Sequence, residues 1–235
     1  MDRLGEPLLR CDPATGFPAF FDRAPVIRVQ DPLSAFLGVN ADGVIDYHYV
    51  DAVRLAGHSC PTVAGAFLLA RSALKSLYPD SLPQRGGVRI AMPAPEDEGT
   101  TGVVAQVLTL VTGAAGRGGF FGIGGRYSRR QLLVFAPGAQ ADERIRFTRT
   151  DSSRTVAGRI DLSTLPVSAA QRERMPAVIR GQADPSQQVA FGEAWQERVC
   201  WLLLDHADDP AVIQIDHAPE EPPTRASGTS ARDCS

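Results

Sequence analysis

Lysine is almost absent from this 235-residue chain: Lys75 is the only one among 24 basic residues, and the rest are arginine. Acidic residues number 27, so the formal net charge is only −3. That balance points to neither nucleic acid nor an anionic membrane as partner. We read the arginine preference as the coding bias of an Arg-, Ala- and Pro-rich composition rather than as phosphate recognition. Cysteine is scarce too. Cys11, Cys60, Cys200 and Cys234 form no C-x-x-C pair and no regular spacing, which excludes a zinc-ribbon pattern and a disulfide framework. No apolar run approaches the roughly 20 residues of a membrane helix, and "MDRLGEPLLRCDP" lacks a signal-peptide core. A cytoplasmic protein with no membrane partner is expected. Also missing are a Walker loop, a Gly-x-Ser-x-Gly elbow, a His-Glu-x-x-His helix, a paired-carboxylate motif and any internal repeat.

What is present is an ordinary globular composition, 43% hydrophobic and 22% charged, in a chain long enough to bury a core unaided. "PVIRV" (25–29) predicts a strand, and Asp31-Pro32 opens a short helix. "DGVIDYHYVDAVRLAG" (42–57) predicts a second helix closed by Gly57. Val63, Ala66, Phe67, Ala70, Leu74 and Leu77 recur at helical spacing, thickened by Leu68, Leu69 and Ala73, up to Pro79. Val88, Ile90 and Met92 alternate as in a strand, and Val103, Val104, Val107, Leu108 and Val111 return to helical spacing. After a glycine-rich loop, "QLLVFAPG", "RIRFTRTD" and "RTVAGRIDL" read as strands. Asp184-Pro185 starts a last long helix carrying Phe191, Trp195, Val199 and Leu202, and "AVIQI" (211–215) is a final strand. Helices and strands that do not alternate regularly predict an α+β fold, with a central, mostly antiparallel sheet packed on long apolar helices. The expected organisation is an N-terminal extension (1–30), one domain (31–215) and a disordered tail (216–235). Apolar surface on more than one face of the two central helices predicts a homodimer.

The motif that draws attention is His58-Ser59-Cys60-Pro61. Pro61 suits a first helical turn, which places Cys60 at a helix N-terminus, where the dipole favours thiolate. In a tight loop after Gly57 the imidazole and the sulfur can converge, and such a pair suits zinc or another transition metal. Two ligands do not complete a tetrahedral site, so a buried structural cysteine beside a surface histidine is the plainer alternative. His48, between Tyr47 and Tyr49, is a third candidate metal ligand or else a partly exposed histidine. His206 and His217 are poorer candidates, and Cys200 reads as core.

"VDAVRLAGHSCPTVAGAFLLARSAL", "EDEGTTGVVAQVLTLVTG" and "FGIGGRYSRRQLLVF" together resemble, in order, three elements of the FmdE-like family, named for a component of formylmethanofuran dehydrogenase, over about residues 35–137. The resemblance implies an α+β fold and a bound metal, often zinc, near the His-x-Cys-Pro loop. This chain has Ala56 where the family has a histidine, and Thr101 and Ala114 where it has cysteines. With one imidazole and one thiolate left, haem is the alternative cofactor, since a single axial ligand and apolar walls can hold it. Arg117, Arg126, Arg129 and Arg130 of the glycine loop are candidate partners for its propionates or for another anionic group. The loop's glycines otherwise serve a tight connection, and its position after a helix and before a strand argues against a nucleotide cradle. Glu96, Asp97 and Glu98 could add an oxygen ligand or a proton acceptor. The expected function is therefore metal or cofactor binding at His58-x-Cys60-Pro61, as a carrier or sensor with a small-molecule or metal ligand. A haem protein and a metal-dependent or redox enzyme are the alternatives.

Overall fold

Ile27 and Val29 are buried while Arg28 and Gln30 are exposed, so β1 (Ile27–Gln30) turns alternate residues to the core. The computed structural model describes residues 11, 15–138 and 143–217. Asp31 caps α1 (Pro32–Phe36), its carboxylate accepting from the Leu33 and Ser34 amides. The single helix expected over 42–57 is two elements. β2 (Val44–Tyr47) pairs antiparallel with β1, and α2 (Tyr49–Ala56) follows. The reason is local: the Asp42 carboxylate accepts from the Val44 amide in a turn, and Val44 and Ile45 are β-branched. His48 stays extended, and its amide donates to the Asp51 carboxylate, which starts the helix one residue later.

The helix α3 (Pro61–Leu77) is the centre of the core, with twelve of its seventeen residues buried. It lies against a five-stranded sheet of order β4-β3-β5-β6-β7. The strands are β3 (Val88–Met92), β4 (Leu133–Phe135), β5 (Ile145–Arg149), β6 (Thr155–Ile160) and β7 (Ile213–His217). Only β3 and β4 run parallel, joined through α4 (Thr101–Thr112); the other pairs are antiparallel, as the α+β reading expected. α3 and β6 approach closely because Gly65 and Gly158 have no Cβ. One added at Gly158 would lie 2.7 Å from Leu69 Cδ1, and one at Gly65 would lie 2.8 Å from Ile160 Cγ2.

Three expectations need amendment. Phe20 and Phe21 are core residues and β1 is paired, so residues 15–30 belong to the folded domain rather than to a separate extension. β7 runs to His217, with Asp216 opposite Ala157 and His217 opposite Val156, two residues past the expected domain end. The rest of the expected tail (218–235), Cys234 included, lies outside the described residues. The helix α5 (Ala169–Ile179) was not anticipated. It has no apolar stripe and carries Pro176 inside it, and it stands against α6 (Pro185–Cys200), which ends in a π-helical turn (Trp201–Asp205). No described helix is long and apolar enough to cross a membrane.

Candidate functional site

The His58-x-Cys60-Pro61 segment is a turn between two helices. Gly57 ends α2 at a φ of 74°, and Cys60 is the N-cap of α3, its Sγ accepting from the Val63 amide at 3.5 Å. Cys60 is buried and His58 exposed, and the His58 ring points Nδ1 at the Ala56 carbonyl, 2.9 Å away. The residue that ties this turn to the rest of the molecule is Ser59. Its Oγ donates to Gln196 Oε1 at 2.8 Å and lies 3.0 Å from the Tyr49 hydroxyl. Its carbonyl accepts from Trp195 Nε1 and Gln196 Nε2, both at 3.2 Å. Tyr49 is fully buried, and burial pushes its phenol far above the usual range. His48 is exposed at the N-cap of α2.

A second centre is built on charge. Asp31 is 4% exposed, and both its oxygens are used. Oδ1 accepts from Arg129 Nη2 at 2.6 Å, and Oδ2 from Arg85 Nη1 at 2.9 Å. Burial pushes the Asp31 carboxyl up, but the Arg85 hydrogen bond, the Arg129 charge and the Leu33 amide outweigh it and hold the group below the ordinary range. Arg85 also donates to the Leu110 carbonyl near the end of α4, and its guanidinium lies 5.7 Å from the Tyr47 ring centre. Burial lowers the Arg129 pKa, with Asp31 opposing. Gly86, at a φ of 81°, packs directly on Arg129, and a Cβ there would fall on the guanidinium.

Two cavities flank Arg85. The larger, about 780 Å³, runs between α4 and the segment Gly116–Phe135. Ala105, Leu110, Leu133 and Phe135 make its apolar surface, and Glu96, Gln106, Thr109 and Arg117 bring polar groups to it. It reaches Leu55 at the end of α2, the helix that leads into the His58 turn. The other cavity, about 470 Å³, is walled by Arg85, Arg126 and Arg129. The four loop arginines therefore part company: Arg117 joins the larger cleft, Arg126 and Arg129 the smaller cavity, and Arg130 lines neither, lying over the Phe121 ring at 4.9 Å. Glu96, Asp97 and Glu98 are all exposed, and only Glu96 reaches the cleft.

Sequence reasoning missed Asp31, Arg85 and Ser59. Asp31 was legible as a helix cap, but nothing in the spacing announces that it takes two arginines from 54 and 98 residues away.

The expected metal set does not assemble. A closed zinc site needs four ligands, and among the described residues no three His, Cys, Asp or Glu side chains gather as a metal-holding group. His58 and Cys60 therefore do not fit a complete zinc centre by themselves. A haem iron in the larger cleft would lack a protein ligand from His48, His58 or Cys60, since none of them lines it. Cys200 is buried in the core, as expected, and Cys11 is exposed. His206 stacks on Trp201 and pairs with Asp209, and His217 ends the sheet, both far in sequence from the His58 turn. No protein-family model matches this chain, and no curated protein matches it.

Proposed function

We propose that the chain is a cytoplasmic small-molecule-binding protein of the FmdE-like kind, a carrier or sensor, with its ligand in the cleft between α4 and β4. One observation carries the reading: a cavity of about 780 Å³ whose lining joins an apolar surface to five polar side chains, Arg85, Glu96, Gln106, Thr109 and Arg117. Its volume falls within the roughly 300–1,000 Å³ of small-molecule sites, and the mixture of an apolar surface with a few placed polar groups is what such sites use. A ligand that suits it has an apolar body and one acidic group for Arg117. Anilinonaphthalene sulfonate has that chemistry and tests the cleft by fluorescence titration. One saturable site per chain is expected, weakened about tenfold by Arg117→Ala and abolished by Thr109→Trp, which fills the cleft. No saturable binding, or binding indifferent to both substitutions, overturns the reading.

A metal at His58 and Cys60 is a second reading, favoured by the position of the Cys60 sulfur at the N-terminus of α3. It requires further ligands from a second copy, from a bound small molecule or from residues outside those described. Elemental analysis of protein purified without chelator tests it: about one zinc per chain, lost in Cys60→Ala, supports it. Absence of metal in a folded, unmodified sample overturns it. An absorption spectrum of the same sample tests haem, whose Soret band must move in His58→Ala or Cys60→Ala.

A further inference from the structure

Arg85, Arg126 and Arg129 line one cavity, and a single acid pairs with two of them. Asp31 is the carboxylate paired with Arg85 and Arg129, and Arg126 forms no ion pair among the described residues. Three guanidiniums against one carboxylate leave an excess of two positive charges around a space of about 470 Å³. Further observations describe the wall of this space. Arg129 is 7% exposed, gives Nη2 to Asp31 and lines the cavity, so its charge stands at the wall of the space. Arg126, a long exposed side chain, is held at the rim by lying 4.9 Å from the ring centre of Tyr127. Tyr127 itself sits at a φ of 62°, a conformation that L residues seldom adopt and that functional sites tend to retain.

The geometry points to a binding site for a doubly charged oxyanion, either phosphate or the phosphate monoester of a small molecule, seated between Arg126 and Arg129. Guanidinium forks match the oxygen geometry of phosphate, and charge-assisted bonds are the stronger class of hydrogen bond. A phosphate monoester is close to dianionic at neutral pH, which matches the charge excess. A monocarboxylate would neutralise only half of it. Gln84 and Ser128, also in the wall, provide an amide and a hydroxyl for an organic portion. This site stands independently of the cleft described above. Arg85 borders both, but Arg126 lines only this cavity.

Isothermal titration of the full chain at constant ionic strength, with inorganic phosphate and separately with glycerol phosphate, tests the site. One saturable site per chain is expected for at least one of them. Arg126→Ala is expected to keep the far-UV spectrum and to weaken binding about tenfold or more. Tighter binding of glycerol phosphate assigns the site to monoesters, and tighter binding of phosphate assigns it to the free ion. The exposed Arg126 is the residue to change, because Arg129→Ala would strip a buried carboxylate of a partner and perturb the fold. Chemical shifts of the Arg126 side-chain Nε–H should move on saturation, a readout that an arginine outside the site would not show. Absence of saturable heat with both anions, an unchanged affinity in Arg126→Ala, or equal heats from chloride overturns the proposal.

Discussion

Asp31 is the residue on which most depends. Its carboxylate caps α1, holds Arg85 against the end of α4 and holds Arg129 under Gly86. Removing one partner from a buried ion pair costs about 3–5 kcal/mol, because the remaining charge is left uncompensated. Arg129→Leu leaves Asp31 still paired with Arg85, so a loss at or below the lower end of that range, about 3 kcal/mol, is expected in urea unfolding. The pH dependence has a definite sign. The folded-state pKa of Asp31 is lowered, so its contribution is complete above the unfolded value of about 3.9 and is lost as pH falls from there through the folded value. Asp31→Asn should be less stable at pH 7 and should lose less stability than the parent between about pH 4 and pH 2, followed by circular dichroism. Ser59 is the corresponding residue of the His58 turn. Ser59→Ala removes the hydroxyl that partners the fully buried Tyr49, and about 1–2 kcal/mol of destabilisation is expected in the same assay.

At the scale of elements, the α2–α3 turn is determined by its caps. Gly57 supplies the left-handed residue that ends one helix, and Cys60-Pro61 starts the next. Gly57→Ala should therefore cost about 1 kcal/mol through backbone strain alone, since no heavy atom lies within 4 Å of the added Cβ. Gly86→Ala combines the same kind of strain with a collision on Arg129, so its loss should be clearly larger in parallel urea titrations. These caps were readable in the sequence because a helix end depends on a few adjacent residues. The strand β2 was not, because "VIDYHYV" has apolar residues compatible with both periods over so short a run. Pairing with β1 decided between them. α5 left no trace for the opposite reason: it has no apolar stripe to detect, and Ser168 at its start is a weak signal alone.

For the whole molecule, α3 sits between the sheet and α4, with α6 and the π-helical turn also against it. The apolar residues of α3 are thereby packed within the chain, whereas α4 turns Ala105 and Leu110 to the larger cleft. Light scattering at micromolar concentration tests the dimer directly: twice the 25.2 kDa chain mass supports it, and the single-chain mass overturns it. Stability should be uneven across the fold. Amides of α3, with its buried residues on every side, are expected to exchange slowest, and those of the largely exposed α5 fastest, by hydrogen exchange mass spectrometry.

The amino-acid sequence by itself determined the helix ends at Asp31, Gly57, Cys60 and Asp184, the alternating strands β3 and β5, the apolar helix at the centre and the general α+β class. Each of these follows from residues near one another along the chain, whose periodicity and capping chemistry act locally. It also singled out Cys60 correctly as a helix N-cap and Cys200 as core. Only the tertiary structure decided which polar groups meet. Asp31 is joined to Arg85 and Arg129 from 54 and 98 residues away, and Ser59 finds partners on α2 and α6. The same folding left His58 exposed without two further metal ligands among the described residues. Side chains distant in sequence converge only when packing of the apolar core brings their backbones together, and no local pattern encodes that convergence.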